Sequence, residues 1–146
     1  MSSKPSGTRP RAHGHLLAGD AGELVGVSGT TIGQWARHGY IRPSQSAELP
    51  HVYSVEDVGE AAIVATLLGR GVRHADVRRA IARLRSYGEW PLSEARLATT
   101  RPPNGGRPQI VLEEEGRRFL LADRGWQLLA VTPETDEVRL RLRPAV

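Results

Sequence analysis

The sequence predicts an α+β protein: a helical N-terminal half interrupted by one extended excursion, then a small antiparallel β-rich unit. Three observations carry this. Apolar residues recur at helical spacing in four segments up to about residue 87, with serine or glycine at several of their ends. A stretch rich in Pro and Gly follows, from Ser93 to Pro108. Beyond it, short β-compatible segments alternate with turn residues to the C-terminus. In a chain of 146 residues this divides into a basic tail expected to be disordered (1–15), a helical unit (16–92), a linker (93–108) and a β-rich unit (109–146).

The first helix is read from Leu16, Leu17, Ala21, Leu24 and Val25, with Asp20 and Glu23 on the opposite side. Gly26 allows a tight turn, Ser28 is placed to cap a second helix over about residues 28–38, and Gly39 to close it. Helix, short turn, helix is the expected unit, locked by Val27 and Ile32. From Tyr40 to Val52, Pro43 and Pro50 among polar residues favour an extended wing. Ser54 followed by Glu56 and Asp57 marks the start of a third helix near Val55, which Gly69 and Gly71 end. A fourth begins near His74 with Val77, Ala80, Ile81 and Leu84 inward and Arg73, Arg78, Arg79, Arg83 and Arg85 outward, until Gly88 and Pro91 stop it.

Four strands are expected in the last third, over 109–114, 117–122, 126–131 and 137–143, arranged as an antiparallel meander, with a helical turn as the alternative for 126–131. The last has the cleanest alternation, Val138, Leu140 and Leu142 against Arg139, Arg141 and Arg143. Four strands make a thin core, so the unit is expected to pack on the helical half, on a second copy or on a partner.

Charge points to an anionic partner for the first part. Residues 1–103 hold 13 Lys and Arg against 9 Asp and Glu, whereas residues 104–146 hold 7 against 7. No apolar run is long enough to span a bilayer and the first fifteen residues lack a signal-peptide core, so a cytoplasmic, nucleoid-associated protein is expected, without a membrane partner. With no Cys there is no disulfide or thiolate metal site, and His13, His15, His38, His51 and His74 show no ligand spacing; no metal and no cofactor are expected. No nucleophile stands with a plausible base, so no enzyme is expected.

The order Gly22-Glu23-Leu24, Val25-Gly26-Val27-Ser28, Thr31, Trp35, Gly39-Tyr40-Ile41 with Pro43, Tyr53-Ser54 and Glu56-Asp57-Val58, then Gly71-Val72 and Asp76 through Ile81, resembles MerR-type winged helix-turn-helix regulators over about residues 16–87. The resemblance implies double-stranded DNA as partner, with the second helix in the major groove and the wing, about residues 42–53, on the flanking DNA. Thr30, Thr31, Gln34 and Arg37 are then the groove-facing residues. Trp35 either stacks on the backbone or completes the core. Arg42, Ser44, Gln45 and His51 are the wing contacts, and Tyr53 supports the wing from the core side or reaches phosphate with its hydroxyl.

Two departures qualify the resemblance. Thr30, Gly33 and His51 stand where the family usually carries basic residues, which thins the groove contacts. Gly88 and Pro91 fall where its long coiled-coil helix would run, so a homodimer is expected through other surfaces, the β-rich unit among them. The leading expectation is a transcription regulator. The alternatives are an antitoxin-like protein whose residues 109–146 bind a partner protein, and an excisionase-like DNA-bender.

Overall fold

The computed structural model describes residues 12–131 and 133–139. Most of the basic tail and residues 140–143 of the last expected strand lie outside them. The helical half contains α1 (Ala18–Val25), α2 (Gly29–Arg37), α3 (Val55–Gly69), α4 (His74–Arg83) and a short α5 (Pro91–Glu94). The sheet contains β1 (Arg96–Thr100), β2 (Ile110–Glu114), β3 (Arg117–Ala122), β4 (Gly125–Leu128) and β5 (Thr135–Glu137).

The α1–α2 corner depends on glycine. A Cβ on Gly22 would lie 2.5 Å from the Val27 carbonyl oxygen, so only a hydrogen there lets the turn fold back on α1. Gly26 closes α1 in the left-handed region (φ 95°), and its N–H bonds the Gly22 carbonyl at 2.7 Å. Ser28 then caps α2, its Oγ accepting from the Thr31 N–H at 3.0 Å. Gly39 (φ 80°) reverses the chain after α2 and delivers Tyr40 and Ile41 to the core.

The wing is a hairpin pinned by two backbone bonds between Ser46 and Val52, at 3.0 and 3.1 Å. At its base Tyr53 forms an antiparallel bridge with Leu16, so the residues leading into α1 are its neighbour. Ser54 and Asp57 form a reciprocal capping box at the start of α3. Asp57, fully buried, does more than cap. Its Oδ2 also accepts from the Ser44 N–H (2.8 Å) and hydroxyl (2.7 Å), and its Oδ1 from Trp90 Nε1 (2.9 Å). One carboxylate thus joins wing, central helix and the approach to α5.

The sheet is antiparallel, with strand order β4-β3-β2-β1-β5. Two expectations are corrected here. β1 lies inside the stretch 93–108 read as a linker. Its alternation is real, but one of its two buried positions is Thr99, which hides it from an apolar pattern. The sheet is also not a four-strand meander, because the chain leaves β4 and returns beside β1 as β5, which begins at Thr135, ahead of the expected 137; residues 140–143 of that expected strand lie outside the described residues.

The sheet packs on the helical half, the first of the three expected ways to cover it. Leu97, Ile110, Leu112 and Leu121 share one continuous core with Val64, Leu67, Val77 and Leu84. Polar clasps reinforce the joint. Arg70, at the end of α3, donates to Thr99 Oγ1 (3.0 Å) and to the Asp136 and Glu137 carbonyls (2.9 and 2.8 Å). Arg79 of α4 binds Asp76 and the Ala122 carbonyl, both at 2.6 Å. Burial alone would raise the Asp76 carboxyl, but hydrogen bonds and charge from Arg79 and Arg73 outweigh it and hold it below its ordinary range.

Glu60 is the other buried carboxylate at a joint. It accepts the Leu92 and Ser93 N–H groups at 2.9 and 2.7 Å, filling the N-terminus of α5. Burial nevertheless dominates and pushes its carboxyl above the ordinary value of 4.5. A carboxyl raised in the folded state favours folding when protonated. That contribution is present below the ordinary value and is lost as pH rises through the raised one. Glu60→Gln is expected to flatten the dependence of unfolding midpoint on pH in this window, read by thermal melts; an unchanged slope would assign the dependence elsewhere.

Candidate nucleic-acid interface

Two faces of α2 have different destinations. Ile32 and Trp35, three residues apart, are buried, whereas Thr30, Gln34 and Arg37 follow one another at helical spacing on the exposed side. None of those three side chains makes a hydrogen bond or ion pair among the described residues. Gly33 lies beside them with nothing within 4 Å of where a Cβ would be.

Between α2 and the wing runs a groove of about 610 Å³, lined by Gly33, Ala36, Arg37, Pro43, Leu49 and His51. Leu49, at the wing tip, is 85% exposed. Arg37 is the only Lys or Arg among the residues lining this groove, and the tip carries the exposed Glu48.

The structure gathers some of the expected site residues on this surface and withdraws others. Thr30, Gln34 and Arg37 face outward together. Thr31 is half-buried and its hydroxyl lies 3.0 Å from Ser28 Oγ, within the cap. Trp35 completes the core, the second of its two readings. Tyr53 is 1% exposed, so its hydroxyl cannot reach phosphate; burial and the Asp57 charge push that hydroxyl's pKa up. Ser44 is occupied by Asp57 and Ser54 (2.7 and 2.8 Å). Gln45 spends its amide on the Gly14 carbonyl at 2.7 Å.

Arg42 pairs with Glu89 at 2.8 Å and sits 5.9 Å above the Trp90 ring, turned toward the segment before α5. His51 stands edge-on to Tyr53, centroids 6.3 Å apart, at the groove wall. Wing residues read from sequence as DNA contacts are therefore largely engaged in holding the wing, because short polar side chains at the base of a hairpin find backbone and carboxylate partners first.

One cluster beside the site was not anticipated. The Tyr40 hydroxyl lies 2.8 Å from His74 Nδ1 and accepts from Arg78 at 3.1 Å, bracing the turn after α2 against α4. His38 stacks tilted on the other side of Tyr40 at 5.8 Å. Arg78 had been read as part of a solvated helix face. The available signal was the tyrosine directly after the helix-closing Gly39, a buried ring whose hydroxyl needs a partner.

Among the described residues no helix is long and apolar enough to cross a membrane, and no three His, Asp or Glu side chains converge as a metal-ligand set. Residues 18–84, just under half of the chain, match the family described as MerR HTH family regulatory protein; the match begins at the first residue of α1 and ends just past α4. No curated protein and no solved structure matches the chain. The helical half, with its glycine-dependent corner, capped second helix and wing, is thus similar over residues 18–84 to the helix-turn-helix region of MerR family regulatory proteins.

Proposed function

We propose that α2 lies in the major groove and reads base edges with Thr30, Gln34 and Arg37, while the wing rests on the flanking backbone or minor groove. One observation carries this reading: these three polar side chains share a single exposed face and have no partner among the described residues. Gln and Arg suit the task because each can make paired hydrogen bonds to a purine edge. Thr31 contributes by keeping the helix start capped, and His51 is one of the wing side chains lining the groove.

Few cations line this surface, so affinity for one half-site is modest. Two copies on a paired site then supply what one copy lacks, which makes a homodimer on a two-fold operator the working unit. In this reading residues 16–92 are the DNA-binding unit, and the sheet, in the C-terminal unit of residues 109–146 with β1 added from the stretch before it, supplies association.

The experiment is selection of binding sites from random duplex DNA with the full chain, followed by salt titration on the enriched sequence. An enriched sequence with inverted repeats is expected. Affinity should fall with salt at a log–log slope of about −0.9 per phosphate neutralised. Failure to enrich any sequence, or binding indifferent to salt, overturns the reading.

A further inference from the structure

Five residues at matching positions cross the sheet in one row: Val138, Leu97, Leu112, Phe119 and Leu128. Leu97 pairs with Leu112, Leu112 with Phe119 and Phe119 with Leu128, and the Val138 N–H bonds the Leu97 carbonyl at 2.9 Å. Leu97 and Leu112 are 5% and 4% exposed, Phe119 is half-buried, and Leu128 is 56% exposed. The row is buried at its middle, half-buried at Val138 and Phe119, and bare at the β4 end.

Among the described residues the backbone at that end is also unpartnered. β4 is the edge strand. The Leu129 N–H points inward to the Arg118 carbonyl, so strand alternation turns the N–H and C=O of Leu128 outward. An apolar side chain beside free backbone groups is a template for one more strand.

The other half of the match is in the sequence after β5. Ala98 pairs with Glu137, which places residue 139 opposite Arg96, the first residue of β1. Continuing that register beyond residue 139 would carry the chain past the first residue of β1. Yet Leu140-Arg141-Leu142-Arg143 continues the alternation of Val138 and Arg139, with apolar residues on the face of Val138. It is a strand sequence that extends beyond the register β1 offers.

Its own β4 is beyond reach. Four strand spacings separate Val138 from Leu128, about 19 Å. Leu140 and Leu142, two and four residues on, extend at most about 7 and about 14 Å from Val138.

We infer that the outer edge of β4 is a docking site for the segment around residues 140–143 of a second copy of this chain, with Leu140 and Leu142 prolonging the apolar row beyond Leu128. The association is strand addition. Main-chain bonds to Leu128 hold the segment, the leucines set its register, and Arg141 and Arg143 lie on the opposite face of the sheet. This goes beyond the DNA-reading proposal and does not depend on it.

The chain has no cysteine, so cross-linking is clean. Full-length Leu128→Cys and Leu142→Cys proteins, mixed and mildly oxidised, are expected to give a disulfide between position 128 of one chain and position 142 of the other, identified by mass spectrometry. Sedimentation of the wild type should show self-association. Leu140→Asp with Leu142→Asp should weaken it at least tenfold, with circular dichroism unchanged. A wild type that stays monomeric up to millimolar concentration overturns the inference. So does association that survives the double Asp variant, or a mixed oxidation that yields no 128–142 disulfide.

Discussion

Replacing Asp57 with alanine is expected to lower the unfolding free energy by about 3–5 kcal/mol. The carboxylate is fully buried and accepts from the Ser44 N–H and hydroxyl, the Ser54 N–H and Trp90 Nε1. The Ser44 hydroxyl can turn wholly to Ser54 Oγ, 2.8 Å away, but the other three donors lose their acceptor. Each buried donor left unpaired costs about 1–3 kcal/mol, with rearrangement and entering water recovering part. Against a typical domain stability of about 5–15 kcal/mol this is a large fraction.

The loss also has a direction. Ser44 begins the wing, Ser54 caps α3, and Trp90 carries Arg42 above its ring. Asp57→Ala should therefore loosen the wing as well as the core. Urea unfolding followed by circular dichroism measures the first effect and amide hydrogen exchange at Gln45, Ser46 and Val52 the second. Asp57→Asn, which keeps one acceptor oxygen, should fall between wild type and alanine. An alanine variant within 1 kcal/mol of wild type would show that water replaces the carboxylate without cost.

The second large effect separates function from folding. Gln34→Ala combined with Arg37→Ala is expected to reduce affinity for the selected DNA by about a hundredfold or more, since each base-reading side chain contributes about 1–3 kcal/mol of discrimination. The unfolding midpoint should barely move. Both side chains are exposed, and Arg37 adds only a few tenths of a kcal/mol to about 1 kcal/mol through the C-terminal end of the α2 dipole. Binding by filter retention or anisotropy on selected and scrambled duplexes measures the first, and urea unfolding the second. Equal affinity of variant and wild type for the selected duplex would remove α2 from the groove.

The helical half was readable because its signals are local. Ser28, Gly26, Gly39 and Ser54 act on backbone groups within a few residues of themselves, and each ends or begins a helix as its type requires. Ile32 follows from the apolar pattern, whereas the groove-facing set came with the family resemblance, which also placed Thr31 there although it is half-buried in the cap. The fate of the wing was less readable. Ser44, Gln45 and Arg42 look like DNA contacts in sequence, yet their partners Asp57, Gly14 and Glu89 lie 13, 31 and 47 residues away. Nothing in the run from Arg42 to Tyr53 announces them.

The sheet shows the same limit from the other side. β2 and β3 were anticipated close to their observed bounds because turn residues bracket them, Glu115 and Gly116 among these with positive φ. β1 was missed. Thr99 is 1% exposed in a position where an apolar residue would have signalled a strand, and Arg70 from the end of α3 supplies the hydroxyl partner that makes threonine acceptable there. Periodicity and capping chemistry were enough for the fold class and the helix-turn-helix, since those are set by neighbours in the chain. Strand order, the burial of Trp35 and Tyr53 and the withdrawal of the wing side chains belong to the tertiary structure. Each is settled by which distant donor, acceptor or apolar face arrives first, and no local pattern encodes that.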